Sequence, residues 1–515
     1  MIGVVTAEQA RAADAAAIAS GTPSFQLMRT AGEHAAALIG DRYPDRLSRV
    51  LVLAGPGNNG GDGYIVAGAL AAAGHSPRIQ AVAPPRSSDA QQAAAWASSV
   101  SLGAYSDGAP TLIVDALLGT GSTGRPRGRV ADAIREIATY RADGIPIVSL
   151  DVPSGMDATT GVADGAVRAD WTITFGHMKR GLLVARGASG AITVVDIGLG
   201  THGREIPGSP GLIDEAWVSA RVPGIPAEAH KGVRCRVAMV GGDRGMAGAT
   251  VLAARAAMRS GIGMVRLVVS EQSLAAVQVG APEATAATWP ADDDRMVDVV
   301  SSYAQAVLIG PGLGRDSASQ RTLEQLLRVW TGPVVLDADA LTLFAGRLDE
   351  LRARLSGRAA VLTPHAGECA RLLGCSVEEV LANRFTAPFE LSDRTGAVVL
   401  LKGVPTVIAS PDGRGVVSAT GTPVLAAAGS GDVLSGIVVT LLAQTGHALD
   451  SAACAAWVHG RAAELANLGR PVRGVVLDDV CRAISAVWRF QSPPLDAPVM
   501  AELPAVGDDA RLVWP

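Results

Sequence analysis

Lysine is nearly missing from this 515-residue chain. Lysine and arginine total 44, yet only Lys179, Lys231 and Lys402 are lysines. The chain takes arginine wherever either cation would serve, so the survivors mark places that call for a compact point charge rather than a planar fork. Asparagine is as scarce, at Asn58, Asn59, Asn383 and Asn467, and two of these are neighbours. Basic blocks are absent and the net charge is -5, which argues against a nucleic-acid partner held by phosphate neutralisation. No run of 18 apolar residues occurs, so no membrane-spanning helix is expected. The opening stretch MIGVVTAEQARAADAAAIAS has no positive segment followed by an apolar one, so no secretory signal is expected and a cytoplasmic location is. Cys235, Cys369, Cys375, Cys454 and Cys481 have neither paired nor metal-ligand spacing and read as free thiols.

What is present is a large apolar fraction, 48% against 18% charged, ample for buried cores. At roughly 150 residues per domain the length suggests two to four domains. After two leading helices, RVLVLAG, RIQAVAP, TLIVDALLGTG, GIPIVSLDVPSG, WTITFG and AITVVDIGLG read as strands. GDGYIVAGALAAAG and DAQQAAAWASSV read as helices between them. Such alternation predicts a parallel sheet covered on both faces. SARVPGIPAEAHKG, residues 219–232, reads as a linker. A second cycle of strands follows in CRVAMVGG, MVRLVVS, AVLIGPGLG, PVVLDADAL, AAVLTPHAGE and AVVLLKGVPTVIAS. The fold class expected is α/β with two doubly wound domains, over residues 1–218 and 219–490. The Pro-rich tail 491–515 is expected to be poorly ordered.

LAGPGNNGGDGYIVAGAL opens the chemistry, since Gly55, Gly57 and Gly60 match a dinucleotide fingerprint. That fingerprint expects a carboxylate at the end of the next strand for ribose hydroxyls. SPRIQAVAPPR has none, which weakens a dehydrogenase reading. What remains is a glycine turn at a helix N-terminus, an anion site. Asn59, Asp115 in VDALLGTGSTGR and Ser154 in DVPSGMD all stand at strand ends, which gather in one crevice. Their oxygens suit a hard cation such as K⁺. Asp151 at another strand end is a candidate acid or base. On residue type alone, turn-capping explains Asp115 and Asp151 slightly better.

GPGNNGGDG, DALLGTG, DVPSGMDATTG and TFGHMKRGLL together resemble the N-terminal domain of the bifunctional NAD(P)H-hydrate repair enzymes. The resemblance implies a Rossmann-like domain that epimerises the R and S hydrates of NADH and NADPH. It implies that Asn58, Asn59, Gly60, Gly61 and Asp62 hold the hydrate, with Gly119, Thr120, Gly121, Ser122, Thr123, Gly124 and Arg125. It further implies potassium at Asn59, Asp115 and Ser154, and Asp151 against the substrate. On this reading the glycines make room for a pyrophosphate-bearing ligand. The family usually carries Glu where Arg29 stands, which bears on a subunit contact rather than on the chemistry.

AAAGSGDVLSG resembles the anion loop of ribokinase-like small-molecule kinases. Gly429 and Gly431 let backbone N–H groups approach a transferring phosphoryl group, and Asp432 is placed to take the acceptor's proton. A lone G-S-G-D serves equally as a helix cap. It stands here with LLKGVPTVI, TPHAGE, GPGLG and AHKG, in the order of the same family's C-terminal ribokinase-like dehydratase. The resemblance implies ADP-dependent dehydration of the S hydrate, giving NAD(P)H, AMP and phosphate, with Mg²⁺ accompanying ADP. It carries Ala249, Gly312, His365 and Asp432 to the hydrate, and Lys402, Gly403, Val404, Pro405, Thr406 and Gly431 to the nucleotide. A homo-oligomer is expected. The rival reading is a small-molecule kinase fused to a Rossmann-like ligand-binding module; a third makes the first half a scaffold.

Overall fold

The computed structural model describes residues 1–100, 108–203, 206–289 and 293–507; the last eight residues of the tail lie outside the described residues. The chain divides into two units, Met1–Leu212 with Pro493–Pro515, and Ile213–Ser492.

In the first unit a parallel sheet runs Arg78–Ala81, Val50–Ala54, Leu112–Ala116, Ile147–Leu150, Trp171–Phe175, Ala191–Val195. The five strands from Val50–Ala54 onward are buried at every position. This follows from their near-continuous apolar residues, since both faces carry helices. Val50 and Val52 pack with helices Ser24–Arg42 and Asn58–Ala72. Leu51 and Leu53 turn the other way, onto helix Gly128–Ala142. The chain leaves Val50–Ala54 for Arg78–Ala81 on one side and returns to Leu112–Ala116 on the other. That reversal opens a crevice beyond Ala54 and Ala116, where ligands of open α/β sheets bind.

Two features differ from the sequence reading. Asn58–Asp62 is the first turn of helix Asn58–Ala72 rather than a loop. The tail, expected to be poorly ordered, contributes the strand Val499–Leu503, antiparallel to Ala191–Val195. Its apolar residues Val499, Met500, Ala501 and Leu503 outweigh the flanking prolines because an open sheet edge offers backbone partners.

In the second unit the strands lie in the order Thr285–Thr288, Met264–Val269, Arg236–Val240, Ala306–Ile309, Val334–Leu336, Ala360–Leu362, Val398–Leu401, Thr406–Ala409, Gly415–Ser418. The last two are antiparallel, so AVVLLKGVPTVIAS is a hairpin turning at residues 402–405. Helix Ser317–Val329 closes one face through Leu323, Leu326 and Leu327. Helices Ala247–Arg259 and Ser430–Thr445 approach closely because Gly436 has no side chain; a Cβ there would overlap the Ala253 carbonyl. Among the described residues no helix is long and apolar enough to cross a membrane.

Two candidate active sites

In the first unit the crevice is shaped by glycines pressed against backbone. A Cβ on Gly55 would overlap the Leu117 carbonyl, and one on Gly60 the Gly55 carbonyl. A Cβ on Gly61 would fall 2.6 Å from the Met28 side chain. Gly55, Gly60 and Gly61 seat the helix on the sheet and against its neighbours. Open space lies instead at Gly57, Gly121 and Gly124. Asn58 accepts a hydrogen bond from the Ser87 hydroxyl (2.5 Å). Asn59 is buried and donates to the Leu118 carbonyl (2.9 Å), while among the described residues its buried Oδ1 has no partner. Gly119 lies where a Cβ would sit 3.2 Å from Asn59 Cβ and 3.3 Å from Asp151 Oδ2, so Asn59 and Asp151 converge on it. The loop continues through half-buried Thr120 and Ser122 to exposed Gly121, Thr123, Gly124 and Arg125.

Asp115 is wholly buried at its strand end. It accepts from the Ser154 hydroxyl (2.5 Å), the Ser154 amide (2.9 Å), the Ser149 hydroxyl (2.8 Å) and the Leu117 amide (3.3 Å). Burial raises its pKa, and those hydrogen bonds pull the other way. The Leu118 amide donates to Ser154 Oγ (2.9 Å), so Asn59, Leu118, Ser154 and Asp115 form one connected chain.

Asp151 occupies the left-handed region at φ 64°, where only an overdetermined non-glycine residue persists. Lys179 holds its Oδ1 at 2.6 Å, and the Thr120 amide donates to its Oδ2 (3.2 Å). Lys179 is itself buried and also donates to Thr174 Oγ1 (3.0 Å) and the Phe175 carbonyl (2.7 Å). Two more carboxylates feel this pair. Burial pushes Asp14 up to about 6, with Lys179 opposing and Asp151 adding. Burial pushes Asp62 well above the usual carboxylate range, helped by the charges of Asp151 and Asp14. Burial and the Lys179 charge push His177 down to about 4.

The second unit builds its site at the C-terminal ends of its parallel strands. Asp432 lies in the first turn of helix Ser430–Thr445, after Gly429 at φ 92°. Lys402 follows strand Val398–Leu401 and pairs with Asp337 (2.9 Å) and, more loosely, Glu368 (3.8 Å). A Cβ on Gly431 would sit 3.1 Å from Lys402 Nζ, so the lysine lies directly against the anion loop. Burial works against the Lys402 charge, but Asp337 and Glu368 more than offset it and its pKa rises. Asp432 is pushed up to about 7, first by burial and then by the Asp337 charge, with Lys402 opposing. Asp337 is buried, and among the described residues its Oδ2 has no partner.

His365 caps helix Ala366–Leu373: Nδ1 accepts from the Gly367 amide (2.9 Å) and the Glu368 amide (3.3 Å), and Glu368 accepts from the His365 amide (2.8 Å). Burial and the Lys402 charge lower its pKa, which agrees with a neutral ring whose proton is on Nε2. Ala249 and Gly312 are neighbours, 3.3 Å apart by the Cβ that Gly312 lacks. Thr406 donates to the Gly403 carbonyl (3.1 Å), closing the 402–406 turn, and Val404 is exposed. The set spelled out by sequence omits Asp14, Lys179, Asp337 and Glu368. Lysine scarcity was the available signal: Lys179 is buried, Lys402 half-buried, and both are paired, while Lys231 is exposed.

This arrangement has relatives. A family model described as NAD(P)H-hydrate dehydratase matches residues 237–485, and one described as YjeF-related protein N-terminus matches residues 24–181. A bifunctional NAD(P)H-hydrate repair enzyme of Salinibacter ruber is 39% identical over 94% of this chain and 96% of its own. That of Escherichia coli is 36% identical over 92% and 90%. The chain belongs to the bifunctional NAD(P)H-hydrate repair enzymes. An ADP/ATP-dependent NAD(P)H-hydrate dehydratase from Bacillus subtilis, co-crystallised with ATP/Mg²⁺, is 30% identical, covering 55% of this chain and 99% of its own at a TM-score of 0.49. The first unit holds the Asp151–Lys179 cluster, and the second the Gly429–Gly431 turn beside Lys402 and Asp432.

Proposed function

We propose that the first unit epimerises the R and S hydrates of NADH and NADPH and that the second dehydrates the S hydrate with ADP. The observation that carries the second half is Asp432, pushed up to about 7 at a helix N-terminus with Lys402 against Gly431. A carboxylate so poised takes a proton near neutral pH. Asp432 removes the proton of the C6 hydroxyl, whose oxygen then bonds to the terminal phosphorus of ADP. The bond from that phosphorus to the bridging oxygen breaks, and AMP leaves with the bridge. Lys402 and the amides at Gly431 meet the charge that develops on the phosphoryl oxygens. The ring nitrogen's electron pair then expels phosphate from C6, a proton leaves C5, and the C5–C6 double bond returns. Ala249, Gly312 and the free face of His365 line the hydrate's side, and Lys402 to Thr406 the nucleotide's. Mg²⁺ fits beside the unpartnered Oδ2 of Asp337 and the Glu368 carboxylate, where it would neutralise phosphate charge.

In the first unit, inversion at C6 needs the hydroxyl to leave as water and return on the other ring face, with one proton delivered and one removed. Asp151, held by Lys179, is the group at the substrate, and Asp62, whose proton affinity burial raises, is the group that gives and regains a proton. Asn58 to Asp62 and Gly119 to Arg125 frame the hydrate. Potassium fits the donor set of Asn59, Asp115 and Ser154, because Asn59 Oδ1 is a buried oxygen that accepts no hydrogen bond among the described residues. There it would offset the charge of a bound pyrophosphate.

The deciding experiment incubates the protein with R and S NADH hydrates and ADP and follows NADH absorbance. Full recovery of NADH with AMP and phosphate released is expected. A stable phosphorylated product would favour the small-molecule kinase instead.

A further inference from the structure

Arg384 lies between helices Val377–Ala382 and Ala387–Thr395, and its guanidinium rests on the 402–406 turn. Nη1 donates to the Pro405 carbonyl (3.3 Å). A Cβ on Gly403 would fall 2.9 Å from Cζ, and Gly403 sits at φ 153°, so the bare glycine is what admits the guanidinium. Among the described residues no carboxylate pairs with Arg384, and Nε and Nη2 make no hydrogen bond. Burial alone lowers its pKa. Other arginines of this unit differ: Arg315 has Asp339 at 2.6 Å, Arg347 has Glu324 and Glu350, and Arg461 has Glu464. Lys402 on the same turn is already shared between Asp337 and Glu368. An unpaired, half-buried cation is costly to keep, and a planar fork with free donors suits phosphate oxygens.

We infer that Arg384 is a further nucleotide-contacting residue, which donates through its free N–H groups to the phosphate chain of the nucleotide on the 402–406 turn. This rests on the reading that this turn takes the nucleotide. It assigns the two cations different tasks. Lys402, neutralised by its carboxylates, faces the transferring phosphoryl group, and Arg384 supplies the uncompensated charge that holds the polyanion.

The test compares ADP and adenosine binding to full-length wild type, Arg384→Gln and Arg384→Lys. Gln keeps an N–H for the Pro405 carbonyl and loses the charge. ADP affinity should fall about tenfold or more in the Gln variant, with adenosine affinity unchanged. The Lys variant, keeping charge and losing the fork, should fall between. KM for ADP should rise while kcat at saturating ADP holds. Equal weakening of ADP and adenosine would mean that Arg384 only shapes the turn, and no weakening of either would likewise overturn the inference. If the Gln variant does not fold, the Lys variant decides: ADP weakened alone supports the assignment, and both ligands unchanged overturns it. Failure of wild type to bind ADP is a separate outcome, which removes the nucleotide reading of the turn itself.

Discussion

Asp432 carries the sharpest expectations for single residues. Asp432→Asn should lower ADP-dependent dehydration by about 10²–10⁴ while leaving epimerisation intact, because a general base is lost in one unit only. The wild-type dehydration rate should fall as pH drops through about 7, where Asp432 takes up its proton. A profile flat from pH 5 to 8 would remove it as the base. The same residue weakens the fold. Its pKa is raised on folding, so the carboxylate favours the folded state below its unfolded pKa, and that contribution is lost as pH rises through about 7. Asp432→Asn should therefore melt higher than wild type above pH 7, with the gap closing in acid. At this scale the sequence was legible where a motif named the residue. Asp337 and Glu368 were not, because VVLDADAL and TPHAGE show a strand end and a helix cap, and only the fold brings both carboxylates to Lys402. Asp14 was hidden for the same reason: it sits in an Ala-rich helix distant in sequence from Lys179.

Elements show what glycine spacing leaves open. The alternation of apolar runs and Ala-rich stretches placed the buried parallel strands, since strands covered on both faces are apolar throughout. It could not tell a glycine that faces a ligand from one that faces a carbonyl. Gly60→Ala should cost about 1–3 kcal/mol as the helix is pushed from Gly55. It should also impair epimerisation, by displacing Asn59. Gly121→Ala meets open space and should stay within about 0.5 kcal/mol of wild type. Equal melting of the two variants would refute this division. The hairpin at 402–405 escaped notice because its turn, Lys-Gly-Val-Pro, interrupts the apolar run only briefly.

For the whole molecule the question is whether two chemistries make one pathway. Asp151→Ala in the full-length protein should leave one epimer of an equilibrium mixture unconverted, apart from slow spontaneous exchange. Phosphoryl transfer needs the C6 hydroxyl in line with the nucleotide, which one ring face provides. Complete, fast NADH recovery by that variant would separate the first unit from the pathway. The strand Val499–Leu503 adds a constraint of another kind, because it completes the first unit's sheet from the far end of the chain. During synthesis, the edge at Ala191–Val195 stays bare until all of Ile213–Ser492 has been translated. Nascent chains therefore finish their later unit first, and the earlier one waits with a sticky border. Ribosomal stalling anywhere in that interval would release a product with an intact amino terminus and an unsealed first sheet, a ready substrate for chaperones.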